Sequence, residues 1–98
     1  MSLVTLSTSP GEILPQNRLR KSLILQNVDG SITVYIKRER NSATTVSASD
    51  FDFRLVPGSA IGLNSMLDGS EAIQDRYTAI AASGTPQVAV FETEDIRR

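Results

Sequence analysis

The sequence predicts an all-β domain, either a small antiparallel β-sandwich or a partly open barrel, of about 6–8 short strands. Three observations lead to this prediction. Apolar and polar residues alternate over short stretches with the period of two that is typical of half-buried strands. Turn-forming pairs such as Asp29-Gly30 and Pro57-Gly58 separate these stretches. No long stretch has the apolar spacing of an amphipathic helix.

Residues 1–15 are predicted to form an N-terminal arm or an edge strand. Apolar and polar residues alternate weakly over residues 3–6, a Ser-Thr-Ser-Pro-Gly break follows, and apolar residues return at 13–14. A strand separated in this way either stays inside its own fold or joins the sheet edge of a neighbour, and we favour the first. Residues 16–93 form the predicted sandwich domain, and 94–98 form a charged C-terminal tail.

Residues 22–28 and 31–37 are predicted to form a β-hairpin. The first segment, SLILQNV, is largely apolar and ends at Asp29-Gly30, and the second, SITVYIK, alternates. A tight hairpin turn requires positive φ angles, which glycine adopts freely and aspartate tolerates. The Asp29-Gly30 pair is therefore predicted to turn the chain from one strand directly into its neighbour.

The middle of the chain is predicted to contain a loop and two further strands. Polar residues 38–49 suit a crossing loop or an edge strand, and residues 50–56 (DFDFRLV) alternate again. Pro57-Gly58 ends that strand, because proline cannot donate to a ladder and glycine supplies the turn. Residues 60–66 form a weaker strand.

The last third holds a turn at 68–69, one ambiguous segment and two strands. The ambiguous segment is 71–80: residues 70–74 (SEAIQ) have the composition of a helix start, although we favour a strand or loop that passes into the next strand. Residues 76–82 and 87–93 are predicted strands joined by a turn at 83–86. Both strands carry apolar residues on both faces, which is expected of central strands or of faces that a neighbouring subunit covers.

The predicted core consists of apolar residues on the inward side of these strands. They are Leu23, Leu25, Ile32, Val34, Ile36, Phe51, Phe53, Leu55, Ile80, Val88 and Val90. A chain of 98 residues is long enough to bury one such core as a single domain.

Composition excludes several kinds of function. The sequence contains no cysteine and no histidine, so it has no disulfide, no thiolate or imidazole metal ligand, and no histidine-dependent catalytic dyad. We therefore expect no enzyme activity, no metal and no cofactor. A net charge of −1, and no apolar run approaching about 20 residues, argue against nucleic-acid and membrane partners. The N-terminus lacks the pattern of a signal peptide.

Charge is distributed unevenly along the chain. Six basic and three acidic residues precede position 42, whereas four basic and eight acidic residues follow it. Either both halves are simply solvated, or the folded particle is bipolar and its copies or partners meet positive to negative. Asp50 and Asp52 form a close acidic pair without the spacing of a calcium loop, and we expect them to be solvated or paired with Arg54 or Arg76.

Two blocks of the sequence resemble small β-sandwich virion proteins of tailed bacteriophages. They are residues 13–28 (ILPQNRLRKSLILQNV), followed by TVYIK, and residues 76–92 (RYTAIAASGTPQVAVFE). The matching positions are Leu14, Pro15, Asn17, Arg20, Ser22, Leu23, Gln26 and Asn27 in the first block, and Tyr77, 79–84, Val88, Val90 and Glu92 in the second. Thr78 is an insertion, and residues 38–75 match only in the aromatic strand and the glycine-containing turns.

The resemblance implies a non-enzymatic structural protein of the virion, made in the cytoplasm of the bacterial host. We expect a capsid decoration, or cement, protein that binds the lattice of the major capsid protein and stabilises the head. A homotrimer is expected because icosahedral heads have three-fold and quasi-three-fold positions. The alternatives are a tail, fibre or neck component, including a host-glycan-binding module that uses Tyr35 and Tyr77.

The capsid-facing surface is expected on the N-terminal arm and on the basic cluster that follows it. The candidate interface residues are Leu3, Val4, Leu6, Ile13, Arg18, Arg20 and Lys21. In this hypothesis the apolar residues of the arm contact neighbouring chains and the cations anchor on an acidic surface of the partner.

Overall fold

The computed structural model describes residues 2–39, 44–64 and 74–94. These residues form eight β-strands, which confirms the predicted all-β class. The strands are β1 (Ser2–Thr5), β2 (Gly11–Leu14), β3 (Arg20–Asn27), β4 (Val34–Glu39), β5 (Phe53–Leu55), β6 (Ala60–Asn64), β7 (Arg76–Ala81) and β8 (Gln87–Glu94).

The strands form two four-stranded antiparallel sheets that pack as a β-sandwich. Sheet A has the order β1-β8-β3-β6, and sheet B has the order β2-β7-β4-β5. Every ladder joins one of the first four strands to one of the last four. The chain is therefore folded back on itself at the β4–β5 connection, and the doubled chain is wound across both sheets. This is the strand order of an eight-stranded jelly roll.

The core between the sheets contains most of the predicted residues. Seven of them are at least nine-tenths buried, namely Leu23, Leu25, Val34, Ile36, Leu55, Val88 and Val90, and Phe53 packs partly buried against this cluster. The prediction was wrong for Phe51, which is 38% exposed. Ile32 and Ile80 are only half-buried, and Ile80 lies beside Tyr35 in the ladder on the outer side of sheet B.

The predicted core omits several buried residues, three in the segment predicted as an N-terminal arm or edge strand and three in the strand predicted at 76–82, from which the predicted core includes only Ile80. They are Leu6, Ile13, Leu14, Tyr77, Ala79 and Ala81. The first three follow or form the N-terminal strands, which lie at the edges of the two sheets and close the core there. Tyr77 contributes a large ring, 1% exposed, at one end of the sandwich.

The prediction of a hairpin at Asp29-Gly30 was wrong. β3 belongs to sheet A and β4 to sheet B, so this segment crosses between the sheets. Gly30 does not have a positive φ angle, unlike Gly58 and Gly84. Instead the Asp29 carboxylate accepts hydrogen bonds from the backbone N–H groups of Ser31 (2.9 Å) and Ile32 (2.8 Å), and these bonds hold the crossing in place.

The other predicted turns and loops have mixed outcomes. The turns at 57–58 and 83–86 form around Gly58 (φ 81°) and Gly84 (φ 60°). The segment predicted as a strand from residue 50 is paired as a strand only from Phe53. The turn at 68–69 and residues 70–73 of the possible helix start lie outside the described residues, as do residues 95–98 of the tail, and the ambiguous segment is a strand from Arg76 onward.

Candidate interaction surface

Three of the seven candidate interface residues are in the interior of the chain. Leu6 (5% exposed) and Ile13 (8%) belong to the hydrophobic core. Arg20 is 2% exposed, so it does not present its charge to a partner. The candidate interface is thereby reduced to the residues that the fold leaves on the surface.

Arg20 is a structural cation that links separate segments of the chain. Its Nε donates to Glu92 Oε2 at 2.6 Å, Nη1 donates to the carbonyl oxygen of Asp75 at 3.0 Å, and Nη2 donates to that of Pro15 at 2.7 Å. The planar guanidinium reaches all three acceptors at once, which a lysine ammonium does not. Burial is tolerated because the charge is paired and its donors are used.

The remaining four candidates lie at different places on the sandwich. Leu3 is 57% exposed on β1, and Val4 turns partly inward against the core. Arg18 and Lys21 are exposed where the chain enters β3, on either side of Leu19, which is 57% exposed. Leu3 therefore belongs to a sheet face, whereas Arg18 and Lys21 belong to one end of the sandwich.

Among the described residues, ion pairs bring charges of the two halves of the sequence together. The ion pairs Arg20–Glu92 (2.6 Å), Lys37–Asp50 (2.8 Å), Arg38–Asp75 (3.1 Å) and Arg76–Glu12 (2.7 Å) each join the first half of the chain to the second. The physical reason is the topology, because every ladder places a first-half strand beside a second-half strand. The bipolar interpretation was therefore wrong for these charges.

The outer face of sheet B is largely covered by the chain itself. Glu39 (6% exposed) and Thr78 (0%) lie on this face, and Val46 (1%) is buried outside the main core cluster. Thr45 donates its backbone N–H to Glu39 Oε2 at 2.8 Å, and Lys37 Nζ donates to Thr45 Oγ1 at 2.8 Å. These contacts place the segment from residue 44 to 50 over the sheet, so little of the face is available to a partner.

The outer face of sheet A is open and, over the regularly paired part of the sheet from Ser22 to Asn27 of β3, carries no charge among the described residues; the exposed Lys21 lies at the register shift that ends this part. The ladder registers place on it Leu3, Thr5, Ser22, Ile24, Gln26, Ala60, Gly62, Asn64, Gln87, Ala89, Phe91 and Thr93. Leu3 (57% exposed), Ile24 (46%) and Phe91 (42%) are its large apolar residues. We refer to this set as the sheet A face.

The apolar residues of the sheet A face lie next to one another across the strands. Ile24 is directly opposite Phe91 on one side and Gly62 on the other, and Leu3 is opposite Ala89. Because Gly62 and Ala89 have no side chain or a small one, the side chains of the large apolar residues protrude beyond these neighbouring positions. The face therefore has the form of an interface core with uncharged polar residues around it.

The sequence contained one signal for this face. Residues 87–93 carry apolar side chains on both faces, and one explanation is a face covered by a neighbouring subunit. Phe91 is the large residue behind that signal, and the structure places it on the outer side. Ile24 could not be recognised as an outer residue from the sequence, because residues 23–25 are all apolar and do not show which face of the strand is buried.

The aromatic residues proposed for glycan binding do not form a common platform. Tyr77 is 1% exposed, and burial raises its pKa to about 12. Tyr35 lies on the outer face of the same sheet, sheet B, with its ring centroid 4.9 Å from that of Phe51 and the two rings tilted by 49°. One tyrosine is therefore in the interior, and the other is engaged by a neighbouring ring.

The acidic pair Asp50 and Asp52 serves the fold. Asp50 pairs with Lys37, and Asp52 accepts the backbone N–H of Arg38 at 2.8 Å. The pairing with Arg54 or Arg76 expected from the sequence is replaced by these contacts. Among residues 2–39, 44–64 and 74–94, no cluster of three or more acidic side chains is arranged to hold a metal ion.

Within the same described ranges, no helix has the length and apolar character needed to cross a membrane. Comparison with known proteins gave no match to a family model, to a curated protein or to a solved structure.

Proposed function

We propose that this chain is a non-enzymatic structural protein of a phage virion, and most specifically a capsid decoration protein that binds the lattice of the major capsid protein. The observation that carries the proposal is the sheet A face, which is open, uncharged and centred on Leu3, Ile24 and Phe91. Such a face matches the composition of a protein–protein interface core. The resemblance of residues 13–28 and 76–92 to small virion proteins is the reason for proposing a phage virion as the assembly to which the chain binds.

The difference between the two sheets supports docking through sheet A. The outer face of sheet B is occupied by residues 44–50 and by ion pairs of the chain itself. Covering Ile24 and Phe91 with an apolar partner surface removes their exposed area from water without stripping water from a charge. The jelly-roll order is used by viral capsid domains and also by lectins, so the strand order alone does not distinguish these functions, whereas the composition of the sheet A face favours docking to a protein.

The experiment that tests the proposal is binding of point variants to phage heads assembled without this chain. Ile24→Glu and Phe91→Glu each place a carboxylate in the proposed interface. Each is expected to weaken head binding at least about a hundredfold, because burying an unpaired charge costs several kcal/mol. Co-sedimentation with the heads measures the bound fraction.

Val56→Glu is the matched control, because Val56 is also exposed (41%) but lies outside the sheet A face, next to the turn at Gly58. It is expected to bind heads like the unchanged chain. Equal loss of binding in all three variants, or no loss in Ile24→Glu and Phe91→Glu, would contradict docking through sheet A. Circular dichroism confirms that each variant remains folded.

A further inference from the structure

The edge strands of the two sheets differ in how well they resist pairing with another chain. In sheet B, β2 contains Glu12 and a register shift, and β5 has only three residues, including the exposed Arg54. Charged residues, irregular registers and short length are features that block edge-to-edge pairing. Sheet B is therefore protected at both edges.

Strand β1 at one edge of sheet A has none of these protective features. It consists of Ser2–Thr5 (SLVT), with a regular register to β8 and no charge or proline. In an antiparallel ladder alternate residues direct their N–H and C=O groups to the partner strand, so the other residues of β1 direct theirs away from β8. Among the described strands only β8 pairs with β1, which leaves these groups available for pairing.

We propose that a second copy of this chain pairs with β1 through its own β1, so that two copies form one continuous antiparallel sheet. Two identical strands related by a two-fold axis are antiparallel, which is the arrangement that this sheet already uses. In a two-fold contact each side chain near the axis meets its own counterpart, so a charge there would meet the same charge. β1 and the opposing residues Gln87–Val90 carry no charge and meet this requirement.

The β1 pair enlarges the sheet A face, a consequence that rests on the proposed function. Strand spacing and rise per residue give one face an area of roughly 400 Å². A standard specific interface buries about 800 Å² on each partner. A two-fold axis normal to the sheet directs both faces to the same side, so the dimer presents about the area that a stable docking surface needs.

This arrangement predicts a dimer, whereas the trimer expected above came from the symmetry of icosahedral heads and not from a residue of this chain. The two-fold axis also limits the register. Rotation about an axis normal to the sheet keeps each side chain on its own face, and directly opposed residues of an antiparallel pair share a face. The numbers of two opposed residues therefore differ by an even number. As a result, one residue lies directly opposite its own counterpart. With β1 spanning Ser2–Thr5, that residue is Leu3 or Val4.

Single-cysteine cross-linking tests the inference directly, since the chain has no cysteine of its own. Leu3→Cys and Val4→Cys are oxidised and run on a non-reducing gel, and one of them is expected to give a cross-linked dimer. Ala60→Cys is the control, because Ala60 is exposed on the same face but lies on β6, at the opposite edge. Cross-linking through Ala60 alone, or through none of the three, overturns the proposal.

Sedimentation velocity over a concentration series supplies a second measurement. The unchanged chain is expected to sediment as a dimer at high concentration. Thr5→Lys adds a charge to the exposed edge and is expected to weaken dimerisation at least about tenfold while the chain stays folded. A monomer at every concentration, or a trimer, overturns the β1 pair. No virion is needed here, so a dimer that fails to bind heads leaves this inference standing and contradicts only the proposed function.

Discussion

Arg20 shows how a residue with the signature of a surface cation becomes part of the interior. Arg20 belongs to the sequence Arg18-Leu19-Arg20-Lys21, and clustered basic residues of this kind are usually solvated. The structure buries Arg20 and leaves its neighbours exposed, because Glu92 and two backbone carbonyl oxygens accept its donors. These acceptors are far away in sequence or on the main chain, so the local pattern did not reveal them.

We predict that Arg20→Met destabilises the fold and that Lys21→Met does not. Arg20→Met removes the buried partner of the ion pair with Glu92 and the guanidinium donors of the Pro15 and Asp75 carbonyl oxygens, which is expected to cost about 3 kcal/mol of the free energy of unfolding. Lys21 is exposed, so the same substitution there should change stability by no more than about 0.5 kcal/mol. Urea denaturation at pH 7 measures both. Equal stability of the two variants would mean that Arg20 acts at the surface.

Asn27 has a comparable interior role within the block that resembles virion proteins. Its side chain is fully buried, and Nδ2 donates to the carbonyl oxygens of Ile32 (2.7 Å) and Leu55 (2.9 Å). Asn27 thereby joins β3 in sheet A to the chain around sheet B. Like Arg20 and Tyr77, it matches the resemblance and serves the fold. These three matching positions therefore belong to the scaffold, whereas Ile24, on the proposed docking face, lies between Arg20 and Asn27 without matching.

At the scale of elements, the connection between β3 and β4 is a feature that the local sequence pattern could not predict. A largely apolar strand before Asp29-Gly30 and an alternating strand after it are equally compatible with a hairpin and with a crossing between two sheets. Long-range pairing decides between them, since β3 lies between β8 and β6 while β4 lies between β7 and β5. The strands themselves were predictable because their side-chain period is local, but the sheet to which each belongs was not.

Glycine substitutions distinguish the crossing from a hairpin. Gly30→Ala is expected to leave stability unchanged or to raise it by up to about 1 kcal/mol, because φ at Gly30 is not positive and an added Cβ meets no atom within 4 Å. In a tight hairpin turn with positive φ the same change would be strained.

Gly58→Ala is the comparison for that prediction. Its added Cβ also meets no atom within 4 Å, but φ is 81°, so it is expected to lose about 1–2 kcal/mol from backbone strain alone. Thermal denaturation of the two variants measures the difference. A larger loss for Gly30→Ala than for Gly58→Ala would contradict the crossing.

At the scale of the whole molecule, the topology explains why charge along the sequence misleads. Each ladder pairs a strand from the first half with a strand from the second, so the basic and acidic halves interleave as the chain folds. The four ion pairs named above follow from this arrangement. These charges are used within the chain, so the proposed docking relies on the uncharged residues of the sheet A face instead.

The surface was less predictable than the fold for a physical reason. Core positions follow from alternation, and seven of the eleven predicted residues are indeed well buried. A docking face is made of residues that depart from alternation, such as Phe91 on the outer side of β8, and their meaning depends on which strands become neighbours. Phe91 meets Ile24 only because β8 lies beside β3, a pairing that no local signal reports.

The central proposal, that this chain decorates a phage head, is tested most directly by locating the chain in phage virions by electron cryomicroscopy. The account predicts density for the β-sandwich on the head, with Ile24 and Phe91 packed against a capsid subunit and residues 44–50 turned toward solvent. A sandwich bound with Ile24 and Phe91 facing solvent, or virions that lack the chain, would contradict it.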